Sequence, residues 1–305
     1  MDFSAIATTW ALLAKTARII ILTEPERASI AIKIQADTLS YAADVKIFIL
    51  GYGAAYEKEM RRLTEEDLLI VLLTTDGFMR KGYRERFLPF SKPPGCACKY
   101  IFIRLDIPEP SLLTGLNTRL DKVESIIRRY RALRPGKRVR VVTAKGTDIT
   151  LRIAGQELLP CHARLPGGHA FLPPAEISEA LEPASANGVI VADITVGELR
   201  FGPDLIDPLG LVDQPVVITV KDGLVADIRG GDIARRLQAG LNRLDQSLQT
   251  LVELGHGLSD LAPTGIIGID ESMNGTCHFG IGSRNPYHVD VVLSQPKITV
   301  DDKVL

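Results

Sequence analysis

The sequence predicts an α/β protein in which an N-terminal parallel-sheet α/β domain precedes a mostly antiparallel α+β metal-binding domain. Short apolar runs alternate with helical stretches up to about residue 105, and β-branched runs with sharp turns follow Gly136. Histidines and acids collect beside glycine turns in the last third. With 305 residues, 46% of them hydrophobic, the chain can bury two cores, which we place in residues 1–135 and 136–305.

Four apolar runs predict the strands of the first domain, and two helical stretches between them complete βαβ units. The first helix, Pro25–Ser40, opens with the Pro-Glu pair typical of a helix N-terminus, and the second is Tyr56–Leu63. No glycine-rich phosphate-binding motif follows any run, so no nucleotide loop is predicted. The predicted strands are Ile19–Thr23, Val45–Leu50, Leu68–Leu73 and Tyr100–Leu105.

An amphipathic helix, Leu120–Leu133, leads into the second domain, where strands and turns dominate. The pair Asp222-Gly223 predicts a hairpin, because both residues accept the positive φ of a type I′ turn. A helix beginning at Asp232 is predicted to run to about Val252, which places Glu253 at its C-terminal end. The predicted strands are Arg138–Thr143, Asp148–Ile153, Gly188–Asp193, Val216–Lys221 and Leu224–Arg229.

Composition argues against several classes of partner. The 36 basic and 37 acidic residues give a net charge of -1, unlike the basic surface that nucleic acid or an anionic membrane selects. No segment approaches the roughly 20 apolar residues of a membrane span, and the N-terminus lacks a signal peptide's features. The cysteines (Cys96, Cys98, Cys161 and Cys277) are too scattered for a disulfide framework. We therefore expect a cytoplasmic protein with neither nucleic-acid nor membrane partners.

Ligand-type residues near the C-terminus suggest a metal site. On a strand, His288 and Asp290 project to the same face and can grip one ion, although His-x-Asp also arises by chance. Glycines surround Asp270 and His278, allowing close approach to a site, and the alternative is a turn with a surface histidine. An acid at a helix C-terminus, as expected for Glu253, calls for a counter-cation unless that end is hydrated.

A proline-rich loop at residues 166–176 could present His169 or Glu176 rigidly. His162 and His256 lack a second ligand type at an informative spacing, so we expect structural or substrate-facing roles for them. Motifs of serine hydrolases (Gly-x-Ser-x-Gly) and zincins (His-Glu-x-x-His) do not occur. Cys277 beside His278 is a weak thiol nucleophile candidate, because neighbours on a strand face opposite sides.

Short motifs in a specific order connect the second half to a known family. They are Lys145-Gly146-Thr147-Asp148, Pro166-Gly167-Gly168, Ser185-Ala186-Asn187-Gly188, Gly230-Gly231, Glu253-Leu254-Gly255, Asp270-Glu271, Gly275-Thr276, His278 and His288-x-Asp290. From about Val141 to Leu305, the chain resembles the aminopeptidase T and aminopeptidase S family of leucyl-type metalloaminopeptidases. More distantly it is similar to the iron-dependent 2,5-dihydroxypyridine dioxygenases of the same fold.

The resemblance to the aminopeptidases implies two divalent metal ions held by three glutamates, two histidines and an aspartate. The matching positions are Glu253, Glu271, His278, His288 and Asp290. The sixth position, a glutamate in the family, is His169 here, which implies a different metal number or identity, because imidazole bridges metals less readily than carboxylate. The family tyrosine after the His278 motif is also displaced, with Asn285 near its place and Tyr287 close by.

The dioxygenases, by the same resemblance, hold one iron with two histidines and an aspartate. This chain keeps His288 and Asp290 of that set, while Glu253 stands where the dioxygenases have a histidine. The ligand types therefore favour the peptidase pattern.

The leading hypothesis is a metal-dependent hydrolase that cleaves an amide or related bond of a small amino-acid-like molecule or short peptide. One or two divalent ions (Zn, Co, Mn or Fe) would activate water and polarise the carbonyl, with Glu271 or Glu176 as general base. The ligands would be His169, Glu253, Glu271, His278, His288 and Asp290. Alternatives are a non-haem iron oxygenase and a catalytically inactive binding protein. The resemblance also implies a homodimer.

Overall fold

The computed structural model describes residues 2–52, 55–79, 81–89, 91–131, 133–158, 162–200, 206–283 and 287–305, so Cys161 and Asn285 lie outside the described part. The chain divides into unit 1, Met1–Leu120 with Leu159–Ala175, and unit 2, Asp121–Leu158 with Glu176–Leu305. The first boundary between the units lies at residue 120, whereas the sequence predicted it at residue 135. Residues 159–175, which were predicted from the sequence to lie in the second domain, belong to unit 1. The domain boundary drawn from the sequence stays a prediction.

Unit 1 is built on a parallel sheet, which confirms the predicted fold class for this part. The strands are β1 Arg18–Thr23, β2 Asp44–Ile49, β3 Leu68–Leu72, β4 Lys99–Ile103 and β7 His169–Leu172. Among the described residues their order in the sheet is β2-β1-β3-β4-β7. Every residue of β3 and β4 is buried, as expected for strands covered on both faces, and this explains their uninterrupted apolar sequences.

The helices of unit 1 follow the predicted alternation with strands. They are α1 Ala28–Thr38, α2 Ala55–Met60, α3 Thr75–Met79 and α4 Glu109–Leu116. A single 3₁₀ turn, Pro25–Arg27, precedes α1, whose buried Ile30 and Ile34 lie one helical turn apart. The helices predicted at Pro25–Ser40 and Tyr56–Leu63 are thus present.

Unit 2 is mostly antiparallel, which confirms the second half of the predicted fold class. Its strands are β5 Arg138–Val142, β6 Asp148–Leu158, β8 Glu176–Leu181, β9 Asn187–Ala192, β10 Thr195–Arg200, β11 Ile206–Leu211, β12 Val216–Lys221, β13 Leu224–Arg229, β14 Leu251–Gly257, β15 Thr276–Gly282, β16 His288–Ser294, β17 Lys297–Val300 and β18 Lys303–Val304. Over the described residues their main order is β11-β10-β16-β15-β14-β8-β6-β5-β17-β18, with β9 joining β6 to β12 and β12 pairing with β13.

The turn between β12 and β13 has the predicted geometry. Asp222 and Gly223 have φ values of 48° and 76°, both positive as a type I′ turn requires. Lys221 pairs with Leu224 across this two-residue loop. Local turn chemistry therefore determines the start of the hairpin.

One helix of unit 2 is shorter than the sequence predicted. The helices of this unit are α5 Leu120–Tyr130, α6 Asp232–Leu241 and α7 Ile267–Asp270. The helix predicted to reach Val252 ends at Leu241, where the side chain of Gln249 donates hydrogen bonds to the carbonyls of Leu241 and Leu244. Glu253 consequently lies on strand β14. In the described residues no helix is both long and apolar enough to cross a membrane.

Candidate metal centre

Apart from Glu271, the candidate ligands of unit 2 lie, together with Glu176, on one face of four adjacent antiparallel strands, β8, β14, β15 and β16. The register aligns Glu253 with Gly280 and Gly280 with Asp290, so these residues form one row across the sheet. The next rows align Gly255 with His278 and Gly257 with Glu176. Because side chains alternate along each strand, all these positions project to the same side.

Glu176, Glu253 and His278 form the tightest group. Each offers a ligand atom, and the three atoms lie within 4.8 Å of one another. Glu176 Oε2 is 2.8 Å from His278 Nε2, close enough for an ion pair, yet this oxygen is buried without an aligned hydrogen bond in the described part of the chain. A buried carboxylate oxygen without such a bond is costly, and a cation would satisfy it. The group therefore fits a metal ion.

A second imidazole and carboxylate extend the group. His288 Nε2 lies 3.0 Å from Asp290 Oδ1 and 3.7 Å from Glu253 Oε2. On the other side of the ring, Nδ1 is 3.2 Å from the carbonyl oxygen of Ser283. A proton on Nδ1 would be held by that carbonyl, which leaves Nε2 directed at the carboxylates as in metal-ligating histidines. The predicted same-face arrangement of His288 and Asp290 is present, and Glu253 lies between the two imidazoles.

Two glycines make room for the imidazole rings. A Cβ atom on Gly255 would lie 2.0 Å from His278 Nε2, and one on Gly280 would lie 2.5 Å from His288 Cε1. Both distances are shorter than any real non-bonded contact. Each ring therefore lies over a strand position where any residue other than glycine would displace the ring.

The charges of this group shift the pKa values of its members. Burial lowers the pKa of His278, but the negative charge of Glu176 beside the ring outweighs it, and the net pKa is raised well above its usual value. For His288 burial again opposes, while Asp290 and Glu253 raise the pKa to about 9. Burial, and then Glu176, raises the pKa of Glu253. The raised pKa values favour protonated imidazoles at neutral pH, so a divalent cation that binds them would displace protons.

Asp270, the last residue of α7, and Glu271, which follows it, have different environments. Asp270 is completely buried and accepts hydrogen bonds from Thr195, Thr264 and the backbone of Gly265, so it holds a loop in place. Glu271 is half-buried, and its charge contributes to the raised pKa values of both site histidines. Glu271 therefore remains a candidate ligand or base.

His169, the proposed sixth ligand, begins β7 in unit 1, where it is paired with Tyr100 of β4. The group described above consists of unit 2 residues. The ligand role of His169 therefore remains a prediction.

Sequence reasoning missed a buried histidine–glutamate contact on the opposite face of the same strands. His256 Nε2 lies 3.0 Å from Glu179 Oε2, with both side chains fully buried, and the ring of Tyr130 stacks on His256 at 3.9 Å. A signal was available: Glu179 is three residues after Glu176, and His256 three after Glu253, so the two residues of each pair project to opposite faces of the sheet.

Cys277 is also buried, and burial raises the pKa of its thiol, which makes it a poor nucleophile.

Comparisons with known proteins agree with this fold. Residues 106–305 match the sequence model of the family described as NicX, 2,5-dihydroxypyridine 5,6-dioxygenase. No curated protein matches the chain. A 2,5-dihydroxypyridine dioxygenase structure from Pseudomonas putida KT2440 aligns with a TM-score of 0.64 at 16% identity, covering 99% of this chain and 93% of that one. Wild-type AmpT from Thermus thermophilus aligns with a TM-score of 0.55 at 14% identity, covering 98% and 94%.

Proposed function

This chain belongs to the 2,5-dihydroxypyridine 5,6-dioxygenase family, and from that premise we propose that it is a metal-dependent enzyme whose centre lies on the β8–β14–β15–β16 face of unit 2. More specifically, we propose hydrolysis of an amide or related bond in a small amino-acid-like substrate. The observation that carries this choice is the excess of carboxylates around the imidazoles.

The donor set is richer in carboxylate than a single-iron oxygenase needs. Non-haem iron oxygenases hold their ion with two histidines and one carboxylate, leaving open positions for oxygen and substrate. Here Glu176, Glu253 and Asp290 surround His278 and His288, and Glu253 lies between the two imidazoles. Such a set suits two divalent cations, as in two-metal hydrolases.

In the proposed assignment, Glu176, Glu253 and His278 would hold one cation, and His288 and Asp290, with Glu253 nearby, would hold the other. When bound, such cations lower the pKa of water and polarise a carbonyl oxygen. Glu271 is the proposed general base, because it is close enough to influence both histidines yet is not part of the tightest group. It accepts a proton as the water oxygen bonds to the carbonyl carbon, and returns it to the nitrogen when the C–N bond breaks.

The test begins with metal analysis of protein purified without chelators, followed by hydrolysis assays on a panel of aminoacyl amides with and without oxygen. We expect bound zinc, cobalt or manganese and an activity independent of oxygen. Asp290→Asn should lose metal and activity together. The matched control, Asp148→Asn, alters an exposed aspartate paired with Arg140 and should lose neither. Metal-free protein together with full activity in His288→Ala would contradict the proposal.

A second candidate is oxygen-dependent cleavage of a dihydroxypyridine-like ring, and the family match supports it. It requires iron, oxygen uptake with such a ring, and no amide hydrolysis in the same assays. The presence of Glu253 where the dioxygenases have histidine weighs against it. Glu253→His would place a histidine where the dioxygenases have one, so iron binding and oxygen uptake that arise only in that variant would count against the second candidate for the natural chain.

A further inference from the structure

Two thiols contact each other in unit 1. Cys96 Sγ lies 3.1 Å from Cys98 Sγ, and both cysteines are free. Cys96 is partly exposed, whereas Cys98 is completely buried in an apolar cluster with Phe87 and Tyr100. The pair thus has one sulfur that a small reagent can reach and one sulfur shielded behind it.

The distance between the sulfurs of Cys96 and Cys98 favours a redox-active pair over a metal-binding pair. Two thiolates on one zinc ion, each about 2.3 Å from the metal, stand about 3.8 Å apart at a tetrahedral angle. The observed 3.1 Å is shorter, and a disulfide requires a further approach to about 2.05 Å. Oxidation would bring the two sulfurs closer together, whereas metal binding would need them to separate.

The surroundings give the two sulfurs different reactivity. A hydrogen bond from Cys98, helped by the charge of Lys92 and opposed by burial, lowers the pKa of Cys96 to about 7. The Cys96 interaction and burial raise the pKa of Cys98. Lys92 is held beside the pair because its Nζ donates to the carbonyls of Ala97, Cys98 and Gly167. A thiolate-forming, accessible cysteine next to a protonated one is the arrangement of a nucleophile and its resolving thiol.

We propose that Cys96 and Cys98 form a reversible disulfide in response to hydroperoxides. The Cys96 sulfur attacks the peroxide, the O–O bond breaks, and an alcohol or water leaves with a proton, which gives a sulfenic acid. The Cys98 sulfur then attacks the sulfur of Cys96, the S–O bond breaks and water leaves. The two thiols lose two electrons in total, and the hydroperoxide gains them.

The bond would act on an adjacent pocket. Residues Pro93, Pro94 and Gly95, which directly precede Cys96, line a cavity of about 460 Å³ together with Tyr56 and Met60. A disulfide between residues 96 and 98 restrains the loop that forms this wall. Oxidation would therefore change the part of unit 1 that contains the pocket.

The test uses the full chain with Cys161→Ser, which removes a competing thiol. After hydrogen peroxide treatment, we expect peptide mass spectrometry to find the 96–98 segment lighter by two hydrogen atoms, and dithiothreitol to reverse the change. Buried Cys277 is the internal control and should stay unmodified. In Cys98→Ser protein, dimedone should capture a sulfenic acid on Cys96.

Three results would overturn the proposal. The first is that both thiols stay free under peroxide while Cys96 remains alkylatable. The second is a disulfide that joins two chains, visible on a non-reducing gel. The third is dimedone capture by Cys98 in Cys96→Ser protein that equals capture by Cys96 in Cys98→Ser protein.

Discussion

At the scale of single residues, Glu253 links the two halves of the candidate metal centre. Its carboxylate belongs to the group with Glu176 and His278, and Oε2 is also 3.7 Å from His288 Nε2. We predict that Glu253→Gln weakens divalent-metal affinity by at least about 10- to 100-fold, the cost usual even for partners one shell further out. Competition with a chromophoric chelator would measure the loss.

The control for that substitution is Glu124→Gln on α5, an exposed acid whose ion pair with Arg128 is long, at 3.9 Å. This variant should bind metal as the wild type does. Equal affinity in both variants would remove Glu253 from the ligand set.

Gly255 gives a second prediction at this scale. An alanine there would place Cβ 2.0 Å from His278 Nε2 and force the ring aside. We expect Gly255→Ala to lower the free energy of unfolding by about 1–3 kcal/mol, the usual cost of overpacking, and to weaken metal binding as well. Urea unfolding and the chelator assay would measure the two effects.

Gly155→Ala is its matched control, because Gly155 also lies in a strand of unit 2 and an added Cβ would meet nothing within 4 Å. Unchanged metal binding in Gly255→Ala would show that the His278 ring can take another position without loss of the metal.

The sequence predicted part of the site, for reasons that differ between residues. Period-two alternation sufficed to put His288 and Asp290 on one face, because both lie on one strand. The contact of Glu176 with His278 depends on the register of β8, β14 and β15, which is set by pairing between distant segments. Glu176 was accordingly predicted as a base and not as a ligand.

At the scale of elements, the β12–β13 hairpin depends on Gly223. Its φ is 76°, and an added Cβ would lie 3.0 Å from the backbone of Ala184. Gly223→Ala should therefore lower the free energy of unfolding by about 1–3 kcal/mol. Urea denaturation with an unchanged m value would measure it.

Asp222→Asn provides the comparison for the hairpin, since asparagine also tolerates a positive φ, and its stability should stay close to that of the wild type. If Gly223→Ala and Asp222→Asn were equally stable, the conformation of Gly223 would not control the β12–β13 hairpin.

The error at α6 shows where local patterns fail. Apolar residues at helical spacing continue beyond Leu241, but Gln249 closes the helix end, and the next residues pair with strands on both sides. Tertiary pairing overrides helix propensity here. The parallel strands of unit 1 were easier to predict, because strands buried on both faces carry continuous apolar runs.

At the scale of the whole molecule, acid should destabilise the fold through buried carboxylates such as Asp67. Burial raises its pKa, but hydrogen bonds from Arg18 and the backbone of Thr64 outweigh burial and lower it. The stabilisation is complete above the unfolded pKa of about 3.9 and disappears as pH falls through the lower folded value. We predict that Asp67→Asn is less stable than the wild type at pH 7 and that the difference shrinks below about pH 4.

Urea unfolding across this pH range would test the prediction. Asp148→Asn is the control, since an exposed pair with Arg140 contributes little at any pH. A stability difference for Asp67→Asn that stays constant down to pH 2 would assign the effect of Asp67 to packing alone.

The glycines beneath the two imidazoles have a consequence for how such enzymes diverge. Neighbouring strands are about 4.8 Å apart, and Gly280 has no side chain. A trough whose floor is formed by backbone atoms therefore lies between Glu253 and Asp290. Donor side chains along its rim can be exchanged one at a time while the trough persists. A single-residue insertion in β15 would fill it and convert the centre into ordinary sheet surface, whatever ligands remained.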